Sequence, residues 1–283
     1  MCMGLGCNAV GVTGCRIIDS SRERLLAILT NTFTPCNGRF PTLILLCTLF
    51  WAWGTPNPFS TITAAASLAI LLGLSILITL LCSRLLSATL LRGIPSAYTL
   101  ELPPYRRPRI TKILIRTFWD RTLRVLWRGV TVAAPAGILI WGLANISLGE
   151  QTLMQHAVTF LDPFAGWFGL DGAILLAFLL GMPANEIVIP ILLMCYLEGG
   201  TLMELPDASA YRALFLAQGW GYNRLICVLL FTLFHWPCTT TLLTIKKETN
   251  SPKWTAVSFL LPTGVGMILC FLVHQLLLWL GIK

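Results

Sequence analysis

Glu186 and Asn185 stand side by side inside the apolar run from Ala173 to Leu197, and no other charged residue lies between Asp171 and Glu198. A carboxylate that deep in lipid-length apolar sequence costs about 3 kcal/mol on insertion scales, so it is usually kept for an ion or a proton. Pro183 and Pro190 bracket the pair, and proline inside a helix removes a backbone hydrogen bond and frees carbonyls. Together they read as a broken membrane helix that presents ligands to a cation. The structural alternatives are a protonated Glu186 bonded to a carbonyl freed by Pro190, and an Asn185 that caps the helix at the break.

Sulfur follows a pattern of its own. Gly4-Leu-Gly-Cys-Asn8-Ala-Val10 near the start is echoed by Gly181-Met-Pro-Ala-Asn185-Glu-Ile187, and each is trailed by a proline-cysteine pair, Pro35-Cys36 and Pro237-Cys238. Two such breaks look like the halves of an internally repeated transporter core, with the site at the repeat interface. The first copy begins only a few residues after Met1 and lacks the helix that should precede it, as a fragment or a split protein would. Glu186 supplies a hard anionic oxygen, Asn185 a neutral one, and Cys7, Cys36 and Cys238 softer sulfur. That mixed set suits a first-row transition metal better than Mg²⁺ or Ca²⁺, and Fe²⁺, Mn²⁺, Co²⁺ and Zn²⁺ all remain compatible. His235, three residues before Cys238, reads either as a ligand or proton carrier or as a polar anchor. His156 and His274 have nothing around them. Cys2, Cys15, Cys47, Cys82 and Cys270 read as buried small hydrophobes, and no spacing suggests a disulfide framework.

The elements that must hold these residues are membrane helices. Of 283 residues, 56% are hydrophobic and 11% charged, against roughly 25% charged in soluble domains, and the mean hydropathy is +0.77. The first residues show no signal peptide. Of twenty basic residues, ten fall between Arg84 and Arg128, while Gly129 to Tyr211 has none and holds seven of the twelve acids. Basic loops mark the cytoplasmic side, so the first stretch reads as cytoplasmic rather than as a nucleic-acid surface. Phe40–Trp53, Thr61–Cys82, Val130–Ile146, Leu214–Phe234 and Thr255–Leu280 read as spans, a count of five, beside one or two broken segments. Gly54–Pro58 is a turn, Arg109–Arg128 a basic amphipathic helix on the membrane surface, and the Glu186 segment a re-entrant pair of half-helices. Arg224 is the one charge that the Leu214–Phe234 span must accommodate. The ten tryptophans suit interfacial anchoring. No P-loop, HExxH, GxSxG or dinucleotide fingerprint is present, so no enzyme is indicated.

Gly4-Leu-Gly-Cys-Asn8, the Ser20–Asn31 stretch leading to Pro35-Cys36-Asn-Gly-Arg-Phe-Pro41, Glu101-Leu-Pro-Pro-Tyr-Arg106, Ala184-Asn-Glu186 and His235-Trp-Pro-Cys238 occur in the order of a known family. From Gly4 to the last helix the chain resembles the membrane half of ferrous iron transport protein B. It departs at Ala9-Val10, where that family commonly has Val-Pro. The resemblance implies an all-α, polytopic helical membrane protein with two broken-helix gate repeats of inverted type. Residues 1–60 would hold the first gate and the following helix, 61–130 a spanning helix with the basic loop and amphipathic helix, and 131–283 the second gate and final spans. It places Cys7 and Cys36 in the first gate, and Glu186 and Cys238 in the second. It implies multi-pass insertion in the bacterial inner membrane and Fe²⁺ as the transported ion, with no permanently bound cofactor. A separately encoded GTPase-bearing half and small cytosolic accessory proteins would be partners, with self-association left open. The competing expectations are an inactive or assembly subunit of a split transporter, and a gate-type carrier of another divalent metal or a nucleoside.

Overall fold

The computed structural model describes residues 2–52, 60–93, 110–119, 123–149 and 151–281. The Gly54–Pro58 turn and the Glu101–Arg106 motif lie outside the described residues. The first part of the chain forms α1 (Cys2–Gly6), α2 (Asn8–Gly14), α3 (Ser21–Asn31), α4 (Phe40–Ala52) and α5 (Ser60–Ala88). Next come α6 (Ile110–Thr117), α7 (Leu123–Asn145), a short antiparallel hairpin of β1 (Ser147–Leu148) and β2 (Gln151–Thr152), and α8 (Leu153–Gly166). The last part holds α9 (Gly172–Leu180), α10 (Val188–Leu197), α11 (Ala208–Ala217), α12 (Tyr222–Phe234), α13 (Thr239–Thr249) and α14 (Pro252–Trp279). The all-α class read from the sequence holds.

Local chemistry sets many of the ends. Thr152 and Gln155 form a reciprocal capping box at α8, and the Asp171 carboxylate accepts from Ile174 N at 2.7 Å to cap α9, each satisfying an otherwise orphaned amide. Asn250 ends α13 in the left-handed conformation at φ 47°, and Pro252 opens α14 in the first turn, where its missing N–H is harmless.

Three stretches are long and apolar enough to cross a bilayer, Thr61–Ala88, Tyr222–Thr249 and Pro252–Trp279, and the second is interrupted between α12 and α13. Of the five spans expected, Thr61–Cys82 and Thr255–Leu280 overlap the first and third of these, Val130–Ile146 falls on α7, and Phe40–Trp53 is helical as far as Ala52. Leu214–Phe234 is cut at Gly219, φ 72°, a turn that hydropathy does not register. The described part of the amphipathic stretch 109–128 is helical, in α6 and the opening of α7.

The broken helices are central and the unbroken ones peripheral. In Tyr222–Thr249, 72% of the apolar window is buried, against 11% in Thr61–Ala88 and 22% in Pro252–Trp279. Exposed Ile70, Leu77 and Leu81 on α5, and Ile268, Leu272 and Leu276 on α14, give both helices a lipid-facing surface. Between helices in lipid the hydrophobic effect is weak, and close packing of small residues replaces it. At Gly172 a Cβ would lie 2.1 Å from Val158 O, so α8 and α9 meet backbone to backbone.

The two parts of the chain run in opposite directions. α3 begins where α13 ends: Ser21, Arg24, Glu248 and Thr249 line one small cavity. Beside it Arg16 grips Glu248 with two bonds, 2.8 Å from Nε and 2.7 Å from Nη2, and these raise the Arg16 pKa above its ordinary value. At the other end of α3, Phe33 meets Phe234, the last residue of α12, with ring centroids 6.3 Å apart. α3 and α4 pack on α5, as α12 and α13 pack on α14. Basic residues mark the end shared by Arg16, Arg24 and Lys246, while Asp162, Asp171 and Glu198 line a cavity of about 610 Å³ between α8, α9 and α10.

Candidate functional site

The two asparagine-bearing breaks have nearly the same backbone. Cys7, between α1 and α2, has φ −153° and ψ 125°, and Ala184, before the 3₁₀ turn Asn185–Ile187, has φ −150° and ψ 119°. Cys7 thus corresponds to Ala184, Asn8 to Asn185, and Ala9 to Glu186. The family's proline is absent after Asn8, yet the break forms, because an extended residue at Cys7 suffices to separate two helices.

At the first break the amides are committed to backbone. Asn8, 2% exposed, with its amide nitrogen turned toward three carbonyls donates to Gly4, Asn31 and Thr34 O at 3.2, 3.3 and 3.1 Å. Asn31 Nδ2 donates to Asn8 O at 3.0 Å, and its Oδ1 has no hydrogen-bond partner. A Cβ at either Gly4 or Gly11 would lie 2.5 Å from that oxygen, so only glycine lets the hairpin close around Asn31. Cys7 is exposed.

The second break spans the repeat interface. α9 and α10 pack together as a hairpin of half-helices, about 14 Å each at 1.5 Å per residue, near half of a ~30 Å hydrocarbon core. Asn185 is 7% exposed, and its Nδ2 donates to Cys36 Sγ at 3.7 Å. His235 Nε2 lies 3.4 Å from Asn185 Oδ1, while Nδ1 lies 3.1 and 3.0 Å from Phe231 and Thr232 O. Those carbonyls accept from Nδ1–H, so in the neutral ring Nε2 is an acceptor; its 3.4 Å approach to Asn185 Oδ1 is then a contact between two acceptors, which a cation between them would satisfy. Glu186 is exposed, beside Gly38, from whose Cβ position its Cγ would be 3.4 Å away.

Cys238 caps the start of α13, 3.2 Å from Thr241 Oγ1, within electrostatic range of Cys36 and Cys7. Thr239 N donates to Met182 O at 2.8 Å, tying the Pro237-Cys238 break to the Gly181–Ala184 turn. Among the described residues no three His, Cys, Asp or Glu side chains lie close enough to hold one metal ion. The structure brings Cys36, Asn185 and His235 into contact, sets Glu186 at their margin, and leaves Cys7 apart on the first hairpin.

In the sequence Arg39 stands out only as a member of the Pro35–Pro41 motif. It is 1% exposed, and its guanidinium donates to Leu233, His235 and Trp236 O at 2.7, 2.9 and 3.2 Å. His274 does have company: Nδ1 lies 3.0 Å from Asn223 Oδ1. Arg224 is accommodated by Asp171, 3.4 Å away, whose other contacts include Tyr196 OH at 2.6 Å. Neither partner could be found from the sequence, because each lies on a different helix.

Helix breaks that meet at the Cys36–Asn185–His235 contact make this an all-α helical membrane protein with interrupted helices at its centre. Known proteins resemble the chain along most of its length. Residues 68–121 match the family described as "Ferrous iron transport protein B C terminus", and residues 126–252 match the Gate family described as "Nucleoside recognition". The chain is 26% identical to the Fe(2+) transporter FeoB of Staphylococcus aureus, over 98% of this chain and 40% of that protein. With that of a Synechocystis species it shares 27%, over 99% and 43%. A fusion of Fe(2+) transport protein A with transporter FeoB from Porphyromonas gingivalis is 23% identical, over 97% and 37%. No solved structure matches the chain. The chain is thus similar along nearly its whole length to part of these transporters, and it spans about 40% of the length of the relatives it matches.

Proposed function

We propose that this chain forms the membrane pathway of a ferrous iron importer in a bacterial inner membrane, with Fe²⁺ as substrate and no permanently bound cofactor. The observation that carries the reading is the Cys36–Asn185–His235 contact between the two repeats, which gathers sulfur, oxygen and nitrogen donors where opposed breaks meet. Such a set suits Fe²⁺ and its first-row neighbours and gives little purchase to Mg²⁺ or Ca²⁺. Glu186, exposed beside it, meets the hydrated ion and replaces part of its water shell. Cys238 and Cys7 lie within electrostatic reach of one another and hand the ion on toward the basic end. Several weak stations rather than one tight cage are what release requires.

The chain itself performs no catalysis in this scheme. A GTPase-bearing part supplies the switch, and small cytosolic proteins of the A type are its companions, as the fused relative suggests. The test is radiolabelled Fe²⁺ uptake, under reducing conditions, in bacteria deleted for their own ferrous importer and expressing this chain with and without a GTPase-bearing half. Uptake above empty vector in either arm supports the reading, and none in both, with insertion verified, refutes it. The "Nucleoside recognition" match favours one second reading, a nucleoside carrier. Saturable uridine uptake without Fe²⁺ uptake would select it.

A further inference from the structure

In broken-helix transporters the carbonyls at the end of a half-helix commonly coordinate a hard cation. The end of α12 presents such a set in Leu233, His235 and Trp236, and here all three are filled by Arg39. The arginine comes from the opposite repeat, on the 3₁₀ turn Asn37–Arg39 that follows Cys36. It is 1% exposed, and among the described residues it has no ion pair with a carboxylate. Its Nε has no acceptor at all. A buried charge without a counter-ion is normally avoided. What offsets it here is the negative end of the α12 dipole and its unsatisfied carbonyls.

We propose that Arg39 is a resident cation that determines specificity: it occupies the carbonyl cage at the α12 break and so excludes hard, oxygen-seeking ions such as Ca²⁺. A passing metal is then left with the mixed donors of Cys36, Asn185 and His235. This rests on reading the chain as a transition-metal pathway. Arginine suits the task in two ways. Its planar fork reaches three carbonyls at once, and it stays protonated at any working pH, so the cage cannot be vacated by loss of a proton. The turn that delivers Cys36 to Asn185 also delivers the excluding charge, so the soft donor and the barrier to hard ions arrive on one piece of backbone.

The experiment uses the purified 283-residue chain in detergent and follows thermal unfolding with CaCl₂ added at constant ionic strength. Wild type and Arg39→Lys, which keeps a cation at the cage, should be indifferent to Ca²⁺. Arg39→Met, which keeps the bulk without the charge, should unfold at a lower temperature and recover several degrees in a saturable way as Ca²⁺ fills the vacated carbonyls. If Arg39 is only a strut, Arg39→Met loses stability that Ca²⁺ does not restore, and the proposal fails. It fails also if Arg39→Lys gains the same Ca²⁺ response. Should Arg39→Met not insert, cell-free synthesis into vesicles with Ca²⁺ present should rescue it, and failure with and without Ca²⁺ overturns the idea. Because the readout is Ca²⁺ binding, loss of the transport reading would show separately, as absent Fe²⁺ uptake by wild type.

Discussion

The first and second helix breaks share backbone angles at Cys7 and Ala184 to within a few degrees, yet they present different chemistry. At the first, Asn8 and Asn31 turn inward and bind backbone. At the second, Asn185 turns outward from its hairpin to a thiol and an imidazole, and a carboxylate stands where the first copy has Ala9. A duplicated fold has thus been divided: one break is a closed scaffold that holds a single cysteine at its rim, and the other presents Asn185 to Cys36 and His235. The lesson is that repetition of backbone does not repeat the site.

The sharpest way to break this contrast is Glu186→Gln, which removes the anionic oxygen and keeps the shape. Uptake of Fe²⁺ should fall to the empty-vector level with insertion unchanged, and wild-type uptake would take Glu186 out of the pathway. His235→Ala should raise the half-saturating Fe²⁺ concentration on the order of 10–100-fold, the range found when groups around a metal are removed. An equal loss at all iron concentrations would instead make the histidine a packing residue beside Phe178 and Phe231.

On the scaffold side the expected change is in stability. Gly11→Ala places a methyl 2.5 Å from Asn31 Oδ1 and should cost about 1–3 kcal/mol, as overpacking does, read as a lower unfolding midpoint. Gly6→Ala, with nothing within 4 Å of its Cβ position, is the matched control and should not move it. The smallest effect belongs to Cys270→Ser. The side chain is 0% exposed and donates to Cys227 O at 3.3 Å, a bond that serine can keep, so uptake should be unchanged and stability altered by no more than about 1 kcal/mol. A large loss of transport there would place function far outside the repeat interface.

Much of the architecture was legible because lipid imposes simple rules. The Asn-bearing breaks and the proline-cysteine pairs could be read from residue order. The relations that hydropathy cannot express were lost. Gly219 cuts an apolar run that looks continuous. Arg39 reads as one more basic residue until the 3₁₀ turn carries it beneath α12. His235 reads either as a ligand or as an anchor in the sequence, since only the carbonyls of Phe231 and Thr232 reveal which ring nitrogen is free. Glu186 lies at the centre of its apolar run, but the hairpin turn brings it to an exposed position, so depth in sequence was not depth in the fold.

The two outer helices have one more consequence. α5 and α14 contain 29 and 28 residues, about 43 Å at 1.5 Å per residue, whereas the hydrocarbon core is ~30 Å thick. They must tilt or carry turns into the headgroups, while the half-helices of the breaks have no such reach. A mismatch of that size makes the tilt of the frame on which the two repeats are mounted responsive to bilayer thickness. On the proposed transport reading, acyl-chain length is then a control that none of the proposed donor residues encodes. Reconstitution into lipids of graded chain length should show an optimum, and a flat response would mean that the frame does not transmit the tilt.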